Sequence, residues 1–290
     1  MIVNPVAGHG LGKRTGEALI ARLKEKKAAF EALFTEYKGH AAELARSLCQ
    51  RDDCQALCAV GGDGTFYEVL SGLDTRVPLS LIPAGTGNDF VRGAGLERDP
   101  MKALDMMLEG TSHAYDYIMV NDRRCLNAAG LGFDIDVLEN ESRFRKLIHN
   151  RSSYYFALIK SLLRFSGRRG HVVLDGETEV EADLFLLSMM NGKYIGGGMP
   201  LSLSSQADDG VMDVILVRMM PRYLLPRMLY KYLKGRIQEE TEYVSVYHCS
   251  RVTCRVEPAS RVQLDGEIQD LMPVDVRLVK GGLKLFGRSA

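Results

Sequence analysis

The first 115 residues alternate between short apolar runs and longer segments whose apolar residues recur at helical spacing. Such alternation predicts strand–helix–strand units and a parallel sheet. The predicted strands are Met1–Val3, Phe30–Phe34, Ala56–Val60 and Leu79–Ile82. The predicted helices, with apolar positions three or four residues apart, are Thr15–Lys27, Ala41–Leu48, Phe66–Leu73 and Met101–Leu108.

From about Tyr115 the pattern becomes mainly β. The runs typical of strands are His171–Leu174, Val180–Ser188, Val211–Val217, Tyr243–Val246, Val252–Val256, Val262–Leu264 and Val274–Val279. Two helical segments, Ser153–Phe165 and Tyr223–Gly235, interrupt them. We therefore expect an α/β N-terminal domain with a parallel sheet over 1–116, and a mainly antiparallel β-sandwich domain over 117–279. The tail 280–290 is expected to return to the first domain.

Composition narrows the class of protein. The 290 residues carry 37 basic and 37 acidic side chains, and a neutral total argues against a nucleic-acid-binding protein. The sequence contains no run of about 18 apolar residues, so no membrane-spanning helix is predicted. The N-terminus lacks the pattern of a signal peptide. The six cysteines form no C-x-x-C pair, which favours buried thiols in a reducing cytosol. We expect a cytoplasmic protein, with its oligomeric state, a homodimer included, left open.

Three glycine-rich turns each follow a predicted strand and precede a predicted helix: Asn4–Gly10, Gly61–Thr65 and Pro83–Phe90. Backbone amides at such positions can hold phosphate groups, and ligands of open α/β sheets bind at the carboxyl ends of the strands. Each turn also has a plainer interpretation. The first is an ordinary strand-to-helix turn, and in the other two Asp63, Asn88 or Asp89 only caps the next helix. Three turns that converge on one sheet edge favour a nucleotide site.

Together these turns resemble the diacylglycerol kinase catalytic family, soluble bacterial lipid kinases with sphingosine kinases as relatives. Gly61–Thr65 (GGDGT) is shared with NAD kinases and 6-phosphofructokinases, whereas Pro83–Phe90 (PAGTGNDF) is more specific to lipid kinases. The resemblance continues through Asn191–Met199 (NGKYIGGGM), Asp208–Gly210 and Leu264–Glu267 (LDGE), and so spans nearly the whole chain.

The resemblance implies an NAD kinase/diacylglycerol kinase-like fold, with ATP bound between two domains. The family's nucleotide positions correspond here to Asn4, Pro5, Val6, Ala7, Gly8, Thr35, Gly62, Asp63, Gly64, Thr65, Phe66, Tyr67, Glu68 and Thr86. Tyr67 stands where the family usually has Asn, which leaves the identity of the acceptor open.

The tetrapeptide Leu-Asp-Gly-Glu occurs twice, at Leu174–Glu177 and Leu264–Glu267. Asp-Gly between apolar runs predicts a β-hairpin in both places. The resemblance assigns the general base to Glu267, with Asp265 orienting it and Asp63 placing either Mg²⁺ or the acceptor. Glu177 is then the structural counterpart of Glu267.

The resemblance also implies a Mg²⁺ ion, held by Asp209 with the backbone carbonyls of Gln206 and Val211, and joined to the active site by Asp116. Oxygen ligands of this kind suit Mg²⁺. From pattern alone, Asp208–Gly210 is equally a solvated turn before a strand, and Asp116 has no motif of its own.

The function implied is ATP-dependent phosphorylation of a lipid hydroxyl, with diacylglycerol giving phosphatidic acid as first choice. A sphingoid base, another acylglycerol, a polyprenol and a phospholipid head group remain alternatives as acceptor. An NAD kinase-like enzyme and a non-catalytic lipid-binding regulatory protein remain alternatives as function.

Basic residues are concentrated in two predicted helical segments. Residues 141–170 hold eight basic residues and one acid, residues 218–236 hold six basic residues and no acid, and the remainder carries a net −13. Amphipathic helices with solvated Arg and Lys would explain the spacing. The scarcity of acids favours a surface that meets an anionic membrane, so we expect a lipid substrate presented at the inner face of the membrane.

Overall fold

A computed structural model describes residues 1–145, 159–162 and 165–287. Its strands are β1 (Ile2–Val3), β2 (Leu33–Phe34), β3 (Leu57–Gly61), β4 (Leu79–Pro83), β5 (Ser112–Val120), β6 (Arg123–Cys125), β7 (Ala128–Gly132), β8 (Arg168–Leu174), β9 (Thr178–Met190), β10 (Tyr194–Ile195), β11 (Met199–Pro200), β12 (Met212–Arg218), β13 (Val244–Cys249), β14 (Arg251–Glu257), β15 (Val262–Leu264), β16 (Glu267–Gln269) and β17 (Val274–Phe286). Its helices are α1 (Ala7–Glu25), α2 (His40–Cys49), α3 (Asp63–Gly72), α4 (Asp89–Gly93), α5 (Pro100–Glu109), α6 (Phe133–Arg145) and α7 (Leu225–Leu233), with 3₁₀ turns at Arg222–Leu224 and Ile237–Glu239.

The N-terminal half is a parallel sheet in the order β2-β1-β3-β4. Helices α2 and α3 cover one face around Phe66 and Leu70, while α1 and α5 cover the other around Leu19 and Leu104. Every residue of β3 and β4 is buried, as expected for central strands between two helical layers. The parallel α/β prediction is confirmed.

The C-terminal half is antiparallel, in the order β7-β9-β8-β14-β17. The hairpin β15–β16 adds to β7, and β12 joins β9 to β13. Alternate residues of β14, Val252, Cys254 and Val256, point into the core, which is the period-two pattern of a half-buried strand. The antiparallel prediction is confirmed.

Strand β17 joins the two halves. It pairs antiparallel with β14 and along most of β5, and its residue Leu285 pairs in parallel with Leu79 of β4. It is longer than the predicted Val274–Val279, because its last residues complete the N-terminal sheet. Asp116 lies inside β5, so the expected domain boundary falls within a strand that β17 holds in place.

Several predicted elements differ in extent. The strand expected over Phe30–Phe34 is only Leu33–Phe34, since only two residues pair with β1. The segment 112–145 holds β5, β6, β7 and α6, which the sequence prediction did not include. The buried strand β7 consists largely of alanine and glycine, and buried Asp116 interrupts the apolar residues of β5. The predicted helix Ser153–Phe165 lies largely outside the described residues.

No helix within the described residues is long and apolar enough to cross a membrane. All six cysteines are free thiols. Burial raises the pKa of Cys58 to about 12, as expected for a thiol in an apolar core.

Candidate active site

The three glycine-rich turns meet at the carboxyl ends of β1, β3 and β4. They line one end of a cleft of about 790 Å³, and the β15–β16 turn faces them across it. The second and third turns pack directly on each other. A Cβ on Gly85 would lie 2.4 Å from the Cα of Gly62, so a side chain at position 85 would collide with the neighbouring turn.

The first turn is tied to the second by a side chain. Asn4 donates from Nδ2 to Thr65 Oγ1 (2.9 Å), and its Oδ1 accepts from the backbone N–H of Val6 (3.2 Å). Gly8, His9 and Gly10 then follow with positive φ of 56°, 56° and 91°. This unwound segment precedes the regular part of α1 and leaves its amides free of the usual helical pattern.

Asp63, at the start of α3, lies beside a second acid. Its Oδ1 accepts from the backbone N–H of Asp89 (2.8 Å), and Asp89 Oδ2 accepts from the N–H of Gly197 (2.8 Å). Burial and the charge of Asp89 raise the pKa of Asp63 to about 7. By its local pattern, Asp89 is only a candidate helix cap. Its place in the Pro83–Phe90 motif was the signal that could have identified it.

Glu267 begins β16 and faces the N-terminal half. Its Oε2 lies 2.6 Å from Nζ of Lys38, a residue of the β2–α2 loop that the sequence did not single out. Asp265 was expected to orient Glu267. Its carboxylate accepts the backbone N–H groups of Leu126 (2.7 Å), Asn127 (2.8 Å) and Ala128 (3.0 Å), and so fixes the turn that carries Glu267.

Two of the expected nucleotide residues have other partners. Glu68 accepts the N–H groups of Gly39 (2.9 Å) and Ala41 (3.3 Å), and thereby caps α2. Tyr67 packs in the C-terminal core, where burial and nearby Cys125 raise its pKa to about 12. Its ring is not among the groups that line the cleft.

The remaining expected residues divide into two groups. Those that line the cleft are Val6, Gly8, Asp63, Gly64, Phe66, Thr86, Asp265 and Glu267. Those that are not among the lining residues are Asn4, Pro5, Ala7, Thr35, Gly62 and Thr65. Thr35 donates its N–H to the carbonyl of Val3, which places the β2–α2 loop beside the first turn.

The residues expected to hold Mg²⁺ form a separate cluster near β5 and β17. Asp116 is buried, and its carboxylate accepts the N–H groups of Gly210 (2.7 Å) and Gly281 (2.6 Å). Burial, followed by the charges of Asp209 and Asp208, raises the pKa of Asp116. This crowding of negative charge suits a cation.

The donors present in this cluster match the oxygen preference of Mg²⁺. Asp209 is exposed, with one oxygen accepting the N–H of Val211 (2.9 Å), and Gln206 is exposed beside it. Within the described part of the chain, no three His, Cys, Asp or Glu side chains converge as a metal site. An ion would therefore depend on Asp209 and on the backbone carbonyls of Gln206 and Val211.

The other end of the cleft is apolar. It lies between α6, α7 and the strands β9 and β12, and its walls are mainly carbon: Phe133, Val137, Leu138, Leu162, Phe185, Val217, Met220, Leu225, Met228, Leu229 and Ile237. The rings of Phe133 and Phe185 stack with centroids 4.6 Å apart. The cleft thus runs from a polar, glycine-lined end to an end whose walls are mainly apolar.

Comparison with known proteins agrees with this geometry. Residues 1–120 match the diacylglycerol kinase catalytic domain, and residues 127–287 match the YegS C-terminal NAD kinase beta sandwich-like domain. A diacylglycerol kinase of Mycobacterium tuberculosis is 31% identical over 98% of this chain and 93% of its own length. The crystal structure of a diacylglycerol kinase from Bacillus anthracis matches with a TM-score of 0.74 at 22% identity, covering 99% of this chain and 95% of that one. The chain belongs to the diacylglycerol kinase family and is a kinase of that family.

Proposed function

We propose that this protein transfers the γ-phosphoryl group of ATP to the hydroxyl of diacylglycerol, giving phosphatidic acid. The observation that carries the proposal is the continuity of the cleft, from Asp63 and Glu267 into the apolar space beside Phe133 and Met228. A lipid with its chains in that space brings its hydroxyl towards the carboxylates. NAD, a polar dinucleotide, would find few hydrogen-bond partners on those carbon walls.

In the reaction, the Glu267 carboxylate takes the proton of the lipid hydroxyl as its oxygen bonds to the γ-phosphorus. The bond between that phosphorus and the β–γ bridging oxygen breaks, and ADP leaves. Amides of the glycine turns hold the phosphates, since phosphoryl transfer depends mainly on position and charge. Mg²⁺, when bound, would neutralise phosphate charge. Lys38 holds Glu267 beside the N-terminal half.

We propose that α7 and the 3₁₀ turn before it face an anionic membrane at its cytoplasmic side. Tyr223 and Tyr230 are 79% and 60% exposed, while Leu225 and Met228 on the opposite side line the apolar cleft. Exposed tyrosines beside basic residues are typical of interfacial helices. A lipid could then pass from the bilayer into the cleft without crossing water.

The net positive charge around α7 is smaller than the count over residues 218–236 indicated. Glu239 and Glu240 follow directly, and they pair with Arg227, Lys231 and Arg236. Arg222 and Lys234 remain exposed. Much of the other basic segment, 141–170, lies outside the described residues.

The experiment that tests the function is transfer of radiolabelled phosphate from ATP to a panel of acceptors in mixed micelles. Diacylglycerol should be phosphorylated faster than a sphingoid base, a polyprenol or NAD, and Asp63→Ala should abolish transfer to every acceptor. A preference for NAD would favour the NAD kinase-like alternative. Lipid binding without transfer would favour the regulatory one.

A further inference from the structure

Asp134 lies where the polar and apolar ends of the cleft meet. It is the second residue of α6, and its neighbours Phe133 and Val137 belong to the apolar wall. Gln263 and Asp265, from β15 and the turn after it, line the polar side. The proposed phosphoryl transfer does not use Asp134.

One oxygen of this carboxyl group has no hydrogen-bond partner of standard geometry. Oδ1 accepts the N–H of Ile135 (2.9 Å), whereas Oδ2 is buried beside the side-chain amide of Gln263 and makes no hydrogen bond of standard geometry to the described residues. The backbone leaves room for it, because a Cβ on Gly130 would lie 2.2 Å from Oδ2 and 2.9 Å from Nε2 of Gln263. A buried polar atom without a partner is unusual and calls for a ligand group in a cleft.

An acid in the first turn of a helix is often only a response to the helix dipole. Such an acid is ionised, and for this role it would be enough that Oδ1 accepts an N–H group at the N-terminus of α6. Here burial raises the pKa of Asp134 to about 7 and outweighs the N–H of Ile135 and the neighbouring side-chain amide of Gln263, which lower it, while Asp136 adds a smaller increase. The carboxyl group is therefore protonated over part of the neutral range.

The charged groups around α6 do not reverse the upward shift in the pKa of Asp134. Asp136 faces Arg168 and Arg261, and Arg261 also pairs with Glu139. Across the cleft, β15 presents the uncharged Gln263, and the turn after it presents Asp265. The charged group of that turn is negative, so it favours the protonated form of Asp134.

We infer that Asp134 is a positioning residue that donates a hydrogen bond from Oδ2 to an ester carbonyl of the lipid acceptor. This inference rests on the proposed function. A lipid with its hydroxyl at Glu267 and its chains between α6 and α7 places the atoms that link head and chains beside Asp134. In an acylglycerol these atoms are esters, which only accept hydrogen bonds. In a sphingoid base they include an ammonium and a hydroxyl, which donate.

The test compares diacylglycerol with its dialkyl ether analogue, which lacks the carbonyls, in mixed micelles between pH 6 and 8.5. Wild type should show a KM for diacylglycerol about two- to tenfold lower than for the ether, the range that one hydrogen bond supports. This advantage should fade above about pH 7. Asp134→Asn, whose Nδ2 donates at every pH, should keep the advantage and lose the pH dependence.

Asp134→Ala should remove the ester preference at every pH, with kcat changed less than about twofold and the KM for ATP unchanged. Asp136→Asn is the matched control and should retain the pH-dependent preference. Equal ester preference in wild type and Asp134→Ala would overturn the inference, as would a wild-type preference for a sphingoid base that Asp134→Asn abolishes.

Competition for a fluorescent diacylglycerol in the same micelles gives the ester-over-ether preference without turnover. If wild type phosphorylates no lipid, the proposed function fails, and this binding preference still decides the role of Asp134. If Asp134→Ala loses the ester-over-ether preference, the proposed role of Asp134 is supported. If the preference is unchanged, that role is contradicted.

Discussion

Three acids of the cleft differ in their immediate surroundings, and these surroundings separate their roles. Glu267 is paired with the exposed ammonium of Lys38, whereas Asp265 is held by three backbone N–H groups. Asp63 accepts the backbone N–H of Asp89, whose own side chain is buried. Of these three acids, only Glu267 is paired with a cationic side chain rather than held by backbone N–H groups, which suits a general base.

Glu267→Gln should therefore abolish phosphoryl transfer and leave ATP binding nearly intact. Loss of one general base typically lowers the rate by about 10²–10⁴. The readouts are initial rates of transfer and ATP affinity by calorimetry. Glu177→Gln, at the exposed β8–β9 turn with the same four-residue sequence, should stay close to wild type. If the two variants behave alike, Glu267 is not the base.

The raised pKa of Asp63 should make the free energy of unfolding depend on pH. Its pKa is about 7 in the folded protein and about 3.9 in an unfolded chain, so the folded state binds this proton more tightly. The free energy of unfolding then falls as pH rises from about 4 to 7 and levels off above. Asp63→Asn removes this loss, and should be more stable than wild type at pH 8 by roughly 1–4 kcal/mol while inactive.

Thermal unfolding followed by circular dichroism between pH 4 and 8 checks this expectation. The gap between the melting temperatures of Asp63→Asn and wild type should widen up to about pH 7. The exposed Asp52→Asn should track wild type throughout. Equal melting temperatures for Asp63→Asn and wild type at pH 8 would show that Asp63 is not strained by burial.

Among the elements, α2 depends on a side chain from α3. Its N-cap is Gly39, which has no side chain to accept the first N–H groups, and Glu68 of α3 accepts them instead. Glu68→Ala should lower the free energy of unfolding by about 1–2 kcal/mol, as loss of a helix cap does. Hydrogen exchange at the amides of Gly39 and Ala41 should accelerate.

Ser47→Ala, on the exposed side of the same helix, is the matched control and should change stability by less than about 0.5 kcal/mol. The loop before α2 also carries Thr35 and Lys38, so Glu68→Ala should lower transfer activity through this loop. Unchanged exchange at Gly39 would mean that α2 holds its own N-terminus.

For the whole molecule, the arrangement of the cleft and α7 predicts how the enzyme meets its substrate. Reversing Arg222 and Lys234 to Glu should weaken binding to vesicles rich in anionic lipid, because each well-placed basic residue contributes up to about 1 kcal/mol. Turnover of a short-chain soluble diacylglycerol should be unchanged. Sedimentation with vesicles of graded anionic content gives the affinity, which should fall steeply with salt.

A control variant carries the same change in net charge elsewhere, with Lys24 and Arg255 reversed to Glu on other exposed surfaces. It should bind vesicles as wild type does. Binding that ignores salt, or that weakens equally in both variants, would show that α7 does not face the membrane.

The strand–helix alternation, the change to β structure and the three glycine-rich turns could be predicted from the sequence alone, because each depends on residues that are close together in the chain. It also indicated the sheet edge where the turns converge, since the carboxyl ends of parallel strands share one edge. The elements β5–β7 and α6 were not predicted, because acidic residues such as Asp116 and Asp134 interrupt the apolar residues of β5 and α6, and β7 consists largely of alanine and glycine. The return of β17 to β4 extended a strand that the pattern ended at Val279.

Only the tertiary structure decided which groups meet in the cleft. Lys38 and Glu267 are 229 positions apart, and Gln263 comes to Asp134 because β15 pairs with β7. In the folded chain Glu68 caps α2, and Tyr67 packs in the C-terminal core. Glu239 and Glu240 form ion pairs with the basic α7 segment. Such contacts depend on strand order and on burial, and a local pattern of residues carries neither.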